Sequence, residues 1–356
     1  MSMADHSREA AIVGCLLGGA VGDALGLAYE GLSKRRAAKL FGKPDRYRFF
    51  FRKGMISDDT EHSCLVAQSY IASAGEPQEF LRQFAKRFRY WWICLPAGIG
   101  IATLKAGLRL WLGFGPHRSG VDSAGNGAAM RAAILGVATP DLAKLKELIR
   151  LSSRVTHTDP RAEQGALVIA LAAHFAAGND SVVASGFWQF IDEHLDATAT
   201  EMRGAIDRAC KAAQSRTPVN EYMKSEGFEH RITGFVMQTV PAAIFLWLCN
   251  PKDVRLALES AIECGGDTDT VAAIVGGIVG AGVGEQGIPT ECLNGIYEWP
   301  RSVRWMRNLA VQLSRVAESS QPESPNRVSL IGVLMRNAFF LVVVLLHGFR
   351  RLLPPY

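Results

Sequence analysis

Apolar side chains recur every three to four residues along most of this chain, the spacing of one face of an α-helix. Glycine, proline, asparagine and aspartate interrupt the pattern, and these residues end helices and form turns. Alternation of apolar and polar positions, which would indicate strands, is almost absent. The sequence therefore predicts an all-α domain with helices over 9–28, 59–74, 77–93, 98–112, 127–138, 140–153, 161–177, 183–195, 198–214, 233–249, 251–263, 268–284 and 301–317.

Two of these helices carry glycine at every fourth position. The glycines are Gly14, Gly18, Gly22 and Gly26 in the first helix and Gly276, Gly280 and Gly284 at the end of helix 268–284. Such a ridge lets a neighbouring helix approach closely, in a membrane or in a soluble core. Asp23 in the first helix favours the soluble core. We expect the two helices to cross there.

The last part of the chain differs in composition from the rest. We predict a domain over 1–318, a polar linker over 319–327 and a hydrophobic tail helix over 328–356. The longest uninterrupted apolar run in the tail, 338–346, is nine residues, whereas a bilayer span needs about 20. The tail could pack on the domain, form a dimer interface or lie on a membrane surface, and the linker slightly favours attachment to something other than its own core.

The bulk composition is that of an ordinary globular protein, with 48% hydrophobic and 21% charged residues. The seven cysteines are scattered and never form a C-x-x-C pair, which argues against a disulfide framework and a structural zinc site. The thiols therefore indicate a cytoplasmic protein, with peripheral membrane attachment through the tail as an open alternative.

Basic residues are concentrated in one segment. The net charge of the whole chain is +5, but residues 34–53 alone contain nine basic residues and a single acidic one, Asp45. We interpret this segment as a solvated loop. Steering of an anionic substrate is the second interpretation, and nucleic-acid binding is disfavoured.

Two short acidic clusters are the strongest chemical signal in the sequence. They are Ser57-Asp58-Asp59-Thr60 and Asp267-Thr268-Asp269-Thr270, and each stands at the start of a predicted helix. Aspartates and hydroxyls at such positions can simply cap the helix. Carboxylate and hydroxyl oxygens are also the ligands that Mg²⁺, Mn²⁺ and Ca²⁺ prefer. Because the same unusual composition occurs twice, we favour a site for paired metal ions.

A loop of small residues, 123–127, precedes another predicted helix. Successive backbone N–H groups at such a junction can bind a diphosphate, although an ordinary tight turn has the same composition. His157 is also predicted to lie in a loop, where contact with a ligand is credible.

In these motifs the chain resembles the ADP-ribosylglycohydrolase family, which includes the dinitrogenase-reductase-activating glycohydrolases and the ADP-ribosylarginine and ADP-ribosylserine hydrolases. The similar segments keep their order and spacing over most of 9–315, and they are 18–26 with Glu30, 57–60, 123–131, 156–157, 239–243 and 265–270. The resemblance implies an orthogonal multi-helix bundle with two divalent cations, Mg²⁺ or Mn²⁺, in a central cleft.

The resemblance also implies roles for individual residues. One ion would be held by Ser57, Asp58, Asp59 and Asp269, and the other by Asp267, Asp269 and Thr270. The implied catalytic residues are Glu30, Asp58 and Asp269. The segments that hold the diphosphate and ribose would contribute Ser123, Gly125, Asn126, Gly127 and His157. Phe235 would lie near the adenosine or the leaving group, and His62 departs from the family pattern and could add a metal ligand.

The expected activity is metal-dependent hydrolysis of the glycosidic bond between ADP-ribose and a protein side chain, or a related ADP-ribosyl conjugate. The substrate would be an ADP-ribosylated protein or an ADP-ribosyl small molecule. A catalytically silent ADP-ribose-binding relative and a metal-assisted phosphoester hydrolase are the alternatives. The residues leave open which side chain is released and which of the two metals is used.

Overall fold

The computed structural model describes the backbone of residues 3–354 and the side chains of residues 8–354. The predicted domain and tail also include residues 1–2 and 355–356, which lie outside this part. The α-helices within it are α1 Met3–Gly26, α2 Lys34–Phe41, α3 Asp58–Ser73, α4 Pro77–Ile93, α5 Ile101–Trp111, α6 Ala133–Ala138, α7 Leu142–Arg154, α8 Pro160–Gly178, α9 Ala184–His194, α10 Thr200–Gln214, α11 Val219–Ser225, α12 Val236–Cys249, α13 Val254–Glu263, α14 Thr268–Val283, α15 Thr290–Gly295, α16 Val303–Ser319 and α17 Leu330–Arg350. Between residues 3 and 354, extended backbone pairs only at isolated bridges, so the all-α prediction is confirmed.

The two glycine-ridged helices, α1 and α14, form the centre of the core. A Cβ atom placed on Gly14 would lie 2.1 Å from the Gly280 carbonyl oxygen, and one on Gly22 would lie 2.0 Å from the Ala272 carbonyl oxygen. Residues nearer the C-terminus of α1 contact residues nearer the N-terminus of α14. The helices therefore run antiparallel, with their backbones touching. The two helices therefore meet in one core, as expected, and they do so along most of their length. The antiparallel packing brings the end of α1 beside the start of α14.

One predicted helix, 127–138, is divided into two elements. A 3₁₀ segment covers Asn126–Arg131, and α6 follows it. Within the 3₁₀ segment the Arg131 guanidinium donates to the Gly127 carbonyl oxygen at 2.6 Å. This bond ties the Arg131 side chain to the first turn of the segment.

The basic segment, residues 34–53, is not the solvated loop that was expected. It begins with α2, whose Ala37 and Phe41 are buried, and continues with the buried side chains of Tyr47 and Phe49. The Tyr47 hydroxyl donates to the Cys292 carbonyl oxygen at 2.7 Å. Aromatic residues interleaved with the basic ones therefore attach the segment to the core.

The C-terminal linker and α17 are also attached to the domain. The backbone N–H of Glu323 donates to the Ile71 carbonyl oxygen at 3.0 Å. One face of α17 is buried, and its Arg336 forms an ion pair with the buried Glu298 at 2.7 Å. The expectation that the tail attaches elsewhere than to its own core is therefore wrong for this face of the helix.

By length and composition, two helical stretches between residues 3 and 354 could cross a membrane, Arg8–Gly26 and Leu330–Arg350. In the first, 83% of the residues in the apolar stretch are buried inside the protein, as expected of a core helix. In the second the buried share is only 33%, so most of the apolar surface of α17 faces outward.

Candidate functional site

A cleft of about 530 Å³ opens where the starts of α3 and α14 meet the loop of small residues 123–127, called the glycine loop below. Its size is within the usual range of small-molecule sites. Most of the residues implicated by the sequence line it: Glu30, Asp58, Asp59, Ser123, Gly125, Asn126, Gly127, His157, Asp267, Asp269 and Thr270. Arg231 is the only arginine or lysine that lines the cleft in the described part of the chain. The cleft is therefore strongly acidic.

The first acidic cluster is held by the start of α3. Ser57 caps this helix, and its hydroxyl accepts a hydrogen bond from the Asp59 backbone N–H at 3.2 Å. The same hydroxyl donates to Asp59 Oδ2 at 3.0 Å. Ser57 does not line the cleft itself, so in this structure it orients Asp59.

Asp23 fixes the same helix start from behind. It is fully buried in α1, and its two carboxylate oxygens accept from the Ser57 backbone N–H at 3.0 and 2.9 Å. Oδ2 also accepts from the Thr60 backbone N–H at 3.2 Å. These bonds satisfy N–H groups that a helix start otherwise leaves without partners. Asp23 thereby sets the position from which Asp58 and Asp59 enter the cleft.

The second acidic cluster follows a turn that requires glycine. Gly266 has φ +89°, and a Cβ atom on it would lie 1.9 Å from the Ile232 carbonyl oxygen. The next residue, Asp267, donates its backbone N–H to that same oxygen at 2.9 Å. Asp267 then accepts from the Asn126 side-chain amide at 2.6 Å. This bond joins the second cluster to the glycine loop.

The two acidic clusters touch each other through Asp59 and Thr270, whose hydroxyl donates to Asp59 Oδ2 at 3.2 Å. The other oxygens of the two central aspartates, Asp59 Oδ1 and Asp269 Oδ1, are buried without a hydrogen-bond partner in the described residues. The pKa values of Asp58, Asp59 and Asp269 lie well above the ordinary range. Burial is the largest cause, and repulsion from neighbouring carboxylates is the next. Such a site needs protons or cations to offset its charge.

The donor set fits hard divalent cations, because it consists of carboxylate and hydroxyl oxygens without a lining cysteine. Among the side chains of residues 8–354, however, no group of three or more His, Cys, Asp or Glu is gathered closely enough to hold a metal ion. Asp59 Oδ2 is turned instead towards the Ser57 and Thr270 hydroxyls. The two-ion site thus stays a prediction, supported by the unpartnered buried oxygens.

Glu30 lies at the exposed mouth of the cleft, four residues beyond the end of α1. Desolvation and then repulsion from Asp267 raise the pKa of Glu30 to about 7, against the opposing effect of Arg351. The Arg351 guanidinium donates to the Glu30 carbonyl oxygen at 2.6 Å. A carboxyl with its pKa near 7 can both give and take a proton at neutral pH.

The glycine loop forms the opposite wall. The Asn126 backbone N–H donates to the Gly234 carbonyl oxygen at 2.9 Å, which ties the loop to the segment before α12. His157 packs directly on the loop, so a Cβ atom on Gly127 would lie 2.9 Å from His157 Cε1. The loop therefore owes its shape to the absence of side chains beside this ring.

Besides Ser57, two residues implicated by the resemblance do not line the cleft. Phe235 caps α12, is 37% exposed, and packs under the Arg161 guanidinium at 5.5 Å from its ring centroid. His62 is buried behind the cleft, where its ring makes an edge contact with Trp91 at 4.4 Å. The expectation that His62 could bind metal is therefore wrong for this arrangement.

Sequence reasoning missed a buried ion pair that supports α3. The Arg301 guanidinium donates to Glu61 Oε1 at 2.5 Å, and the Trp91 indole donates to Glu61 Oε2 at 2.6 Å. It also missed Arg231 and the positioning role of Asp23. Asp23 is a lone carboxylate in an apolar helix, and this could have indicated a structural role. No comparable feature of the sequence around Arg231 indicates that it lines the cleft.

Comparisons with known proteins agree with this architecture. A model of the ADP-ribosylglycohydrolase family matches residues 4–323. An ADP-ribosylhydrolase ARH3 of Xenopus tropicalis is 29% identical over 314 residues, covering 78% of this chain and 86% of that protein. An ADP-ribosyl-dinitrogen reductase glycohydrolase of Rhodospirillum rubrum is 26% identical over 300 residues, covering 81% of this chain and 90% of that protein.

The fold is also found among solved structures. A chain of an ADP-ribosylglycohydrolase-related protein complex is similar with a TM-score of 0.65 and 24% identity, over 88% of this chain and 99% of that one. The family match ends before α17 begins. Since the match spans most of the sequence, and the similar motifs converge on one cleft, this chain belongs to the ADP-ribosylglycohydrolase family.

Proposed function

We propose that this protein hydrolyses the glycosidic bond between ADP-ribose and a protein side chain, or a related ADP-ribosyl conjugate. One observation carries the proposal: a cleft of ligand size gathers five carboxylates opposite a loop of small residues. The family and the names of the two relatives support ADP-ribose as the group that is recognised.

The acidic side of the cleft is suited to two divalent cations, Mg²⁺ or Mn²⁺. Asp58, Asp59, Asp267 and Asp269 would hold them, together with the hydroxyls of Ser57 and Thr270. Bound cations would supply electrostatic stabilisation of the charge that develops during bond cleavage. They would also offset the repulsion that raises the pKa values of these carboxyls.

The loop side of the cleft would hold the substrate. Gly125 and Gly127 line the cleft without side chains of their own, so a diphosphate could approach the backbone there, and the Arg231 guanidinium adds a positive charge for it. Asn126 is already bonded to Asp267. Substrate held by the loop would therefore lie against the acidic clusters.

The reaction adds one water molecule across the bond between ribose C1″ and the side-chain nitrogen or oxygen. The water oxygen becomes the anomeric hydroxyl of ADP-ribose, and one proton passes to the departing side chain. Glu30 can accept a proton from the water or deliver one to the leaving group, because its pKa is near neutrality. The free side chain and ADP-ribose are the products.

We also infer that the protein works in a reducing compartment, which for this chain means the cytoplasm. All seven cysteines are free thiols. Burial raises the pKa of several of them, including Cys15 and Cys64, to about 12. Such thiols are poor nucleophiles and are not poised to form disulfides.

The experiment is a substrate panel. Peptides carrying ADP-ribose on arginine or on serine are incubated with purified protein in Mg²⁺, Mn²⁺ or EDTA, and released ADP-ribose is measured. We expect release from at least one linkage, with either metal and not in EDTA. Tight binding of ADP-ribose without release would identify a silent binder, and release of inorganic phosphate would identify a phosphoester hydrolase; either result overturns the proposal.

A further inference from the structure

The basic segment and α17, which the catalytic site does not use, lie against each other in the structure. Near the end of α17, the Arg36 guanidinium donates to the Arg351 carbonyl oxygen at 2.5 Å. The Phe41 ring stacks on the His347 ring with centroids 5.3 Å apart. Two unusual features of the sequence, about 300 residues apart, thus form one surface.

The contact continues along the helix. The ring centroids of Phe49 and Phe340 are 5.7 Å apart, and those of Phe50 and Phe339 are 5.3 Å apart. The basic segment therefore contacts α17 between residues 339 and 351, over a length of about 18 Å. Phe51, which is 89% exposed, extends the apolar surface beyond this contact.

The outer face of α17 is apolar along its whole length. The polar side chains between residues 330 and 349 are Arg336, Asn337 and His347, and all three are buried against the domain. The residues at helical spacing on the opposite face are half or more exposed: Ile331, Met335, Val342, Leu345, Leu346 and Phe349. An exposed apolar stripe of this length indicates an interaction surface.

The charge beside this stripe is positive. The basic segment carries nine basic residues and one acidic residue, and Arg35, Lys43 and Arg52 are exposed. Arg350, at the end of the stripe, is exposed as well. An apolar helix face bordered by cations matches the boundary between acyl chains and anionic headgroups.

We propose that α17 and the basic segment together dock this protein on the surface of a bilayer that contains anionic lipid. A second copy of the chain is the less favourable occupant. Pairing two copies through α17 would bring together two segments of net charge +8 each, whereas anionic headgroups neutralise them.

The helix lies on the membrane and does not cross it. Arg336 is paired with the buried carboxylate of Glu298 and also donates to the Ile56 carbonyl oxygen at 2.5 Å. Pulling α17 into a bilayer would leave Glu298 buried and unpaired inside the domain. The ion pair therefore keeps one face of α17 on the protein while the other face meets lipid.

Vesicle sedimentation of the full chain tests the proposal. The vesicles are phosphatidylcholine alone, or phosphatidylcholine with about one-third phosphatidylglycerol. We expect the wild type to sediment with the anionic vesicles, and to be released as salt rises from about 0.05 M to about 0.5 M. Binding to the neutral vesicles should be much weaker.

Two variants separate the apolar and the charged contributions. Leu346→Glu with Phe349→Glu should lower partitioning at least about 10-fold. Arg35→Glu with Lys43→Glu and Arg52→Glu should lower it at least about 100-fold.

The matched controls are Leu256→Glu, also half exposed on α13, and the exposed lysine set Lys105→Glu, Lys146→Glu and Lys224→Glu. Both controls should bind as the wild type does.

Circular dichroism and turnover of a soluble ADP-ribosylated peptide confirm that each variant is folded, and these readouts are independent of lipid. Absence of binding to the anionic vesicles would overturn the proposal, as would binding that survives both variants. A wild-type dimer in light scattering that becomes monomeric in Leu346→Glu with Phe349→Glu, without vesicle binding, would overturn it in favour of a second copy.

Discussion

The hydroxyl of Thr270 donates a hydrogen bond to Asp59 Oδ2 at 3.2 Å, across 211 positions of the chain. This bond joins the N-termini of α3 and α14, each of which delivers aspartates to the same cleft. The positive ends of both helix dipoles therefore meet there, and they partly offset the buried negative charge.

Asp269 is expected to be essential for activity, because one of its oxygens is buried without a partner and faces the carboxylates of α3. Asp269→Asn should lower release of ADP-ribose at least about 100-fold and weaken Mn²⁺ binding in calorimetry, while the helical circular dichroism spectrum is retained. Asp180→Asn, at an exposed position, is the control. Wild-type turnover by Asp269→Asn at saturating metal would contradict the assignment.

Asp23 is expected to act through the residues that it holds. In Asp23→Asn, an amide N–H₂ replaces one of the oxygens that accept from the backbone of Ser57 and Thr60. The free energy of unfolding in urea should fall by about 1–3 kcal/mol, and Mn²⁺ affinity should fall about 10- to 100-fold. The control is Asp253→Asn. Asp253 caps α13 and does not line the cleft, and asparagine caps helices as well as aspartate does, so neither quantity should change. Unchanged Mn²⁺ affinity in Asp23→Asn would contradict the positioning role.

Metal binding is expected to release protons near neutral pH. The pKa of Glu30 is raised to about 7 by desolvation at the cleft mouth and by repulsion from Asp267, and that of Asp23 is raised to about 6 by burial, so both carboxyls are partly protonated in the metal-free protein. A cation favours the charged form and lowers these pKa values. Proton release from these two carboxyls should be largest between about pH 6 and 7. Asp58, Asp59 and Asp269, whose pKa values also lie well above the ordinary range, should add to it.

Calorimetry of Mn²⁺ binding in two buffers of different ionisation enthalpy measures this release. Glu30→Gln should reduce it and Asp180→Asn should not. Without metal, the raised pKa of Glu30 also makes the stability of the fold depend on pH. Its contribution is fully present below the ordinary carboxyl range and is lost as pH rises through about 7. Equal proton release by the wild type and Glu30→Gln would show that Glu30 does not respond to the metal.

The glycine loop is expected to tolerate no side chain beside His157. In Gly127→Ala the new Cβ atom would lie 2.9 Å from His157 Cε1, and this buried ring is already held by the Thr156 hydroxyl at 2.8 Å. KM for an ADP-ribosylated peptide should rise about 10- to 100-fold. Gly100→Ala, which also lines the cleft but meets nothing within 4 Å, should leave KM nearly unchanged. Equal KM values in the two variants would show that the ring moves aside freely.

The contact between α1 and α14 is expected to be the least tolerant part of the core. A Cβ atom at Gly22 would lie 2.0 Å from the Ala272 carbonyl oxygen, which is backbone and cannot rotate away. Gly22→Ala should lower the free energy of unfolding by about 3 kcal/mol or more. Gly204→Ala, in α10 with its nearest such atom 3.6 Å away, should instead raise it by up to about 1 kcal/mol. Urea unfolding measures both, and a smaller loss for Gly22→Ala would mean that the helices can separate.

The sequence by itself determined the elements that depend on local chemistry. The predicted helix starts at 59 and 268 lie within one residue of the starts of α3 at Asp58 and α14 at Thr268. The motif residues also indicated which side chains share a cleft, although Ser57, Phe235 and His62 do not line it. Local signals succeed here because a helix cap or a glycine turn is specified within a few residues.

The tertiary structure alone decided how distant segments face one another. Neither the antiparallel contact of α1 with α14 nor the bond from Asp23 to the start of α3 can be read from spacing, since each depends on packing across the whole core. The same is true of the basic segment, whose aromatic side chains anchor it beside α17. Periodicity reports which face of a helix is apolar, but only the packed chain shows which surface covers it.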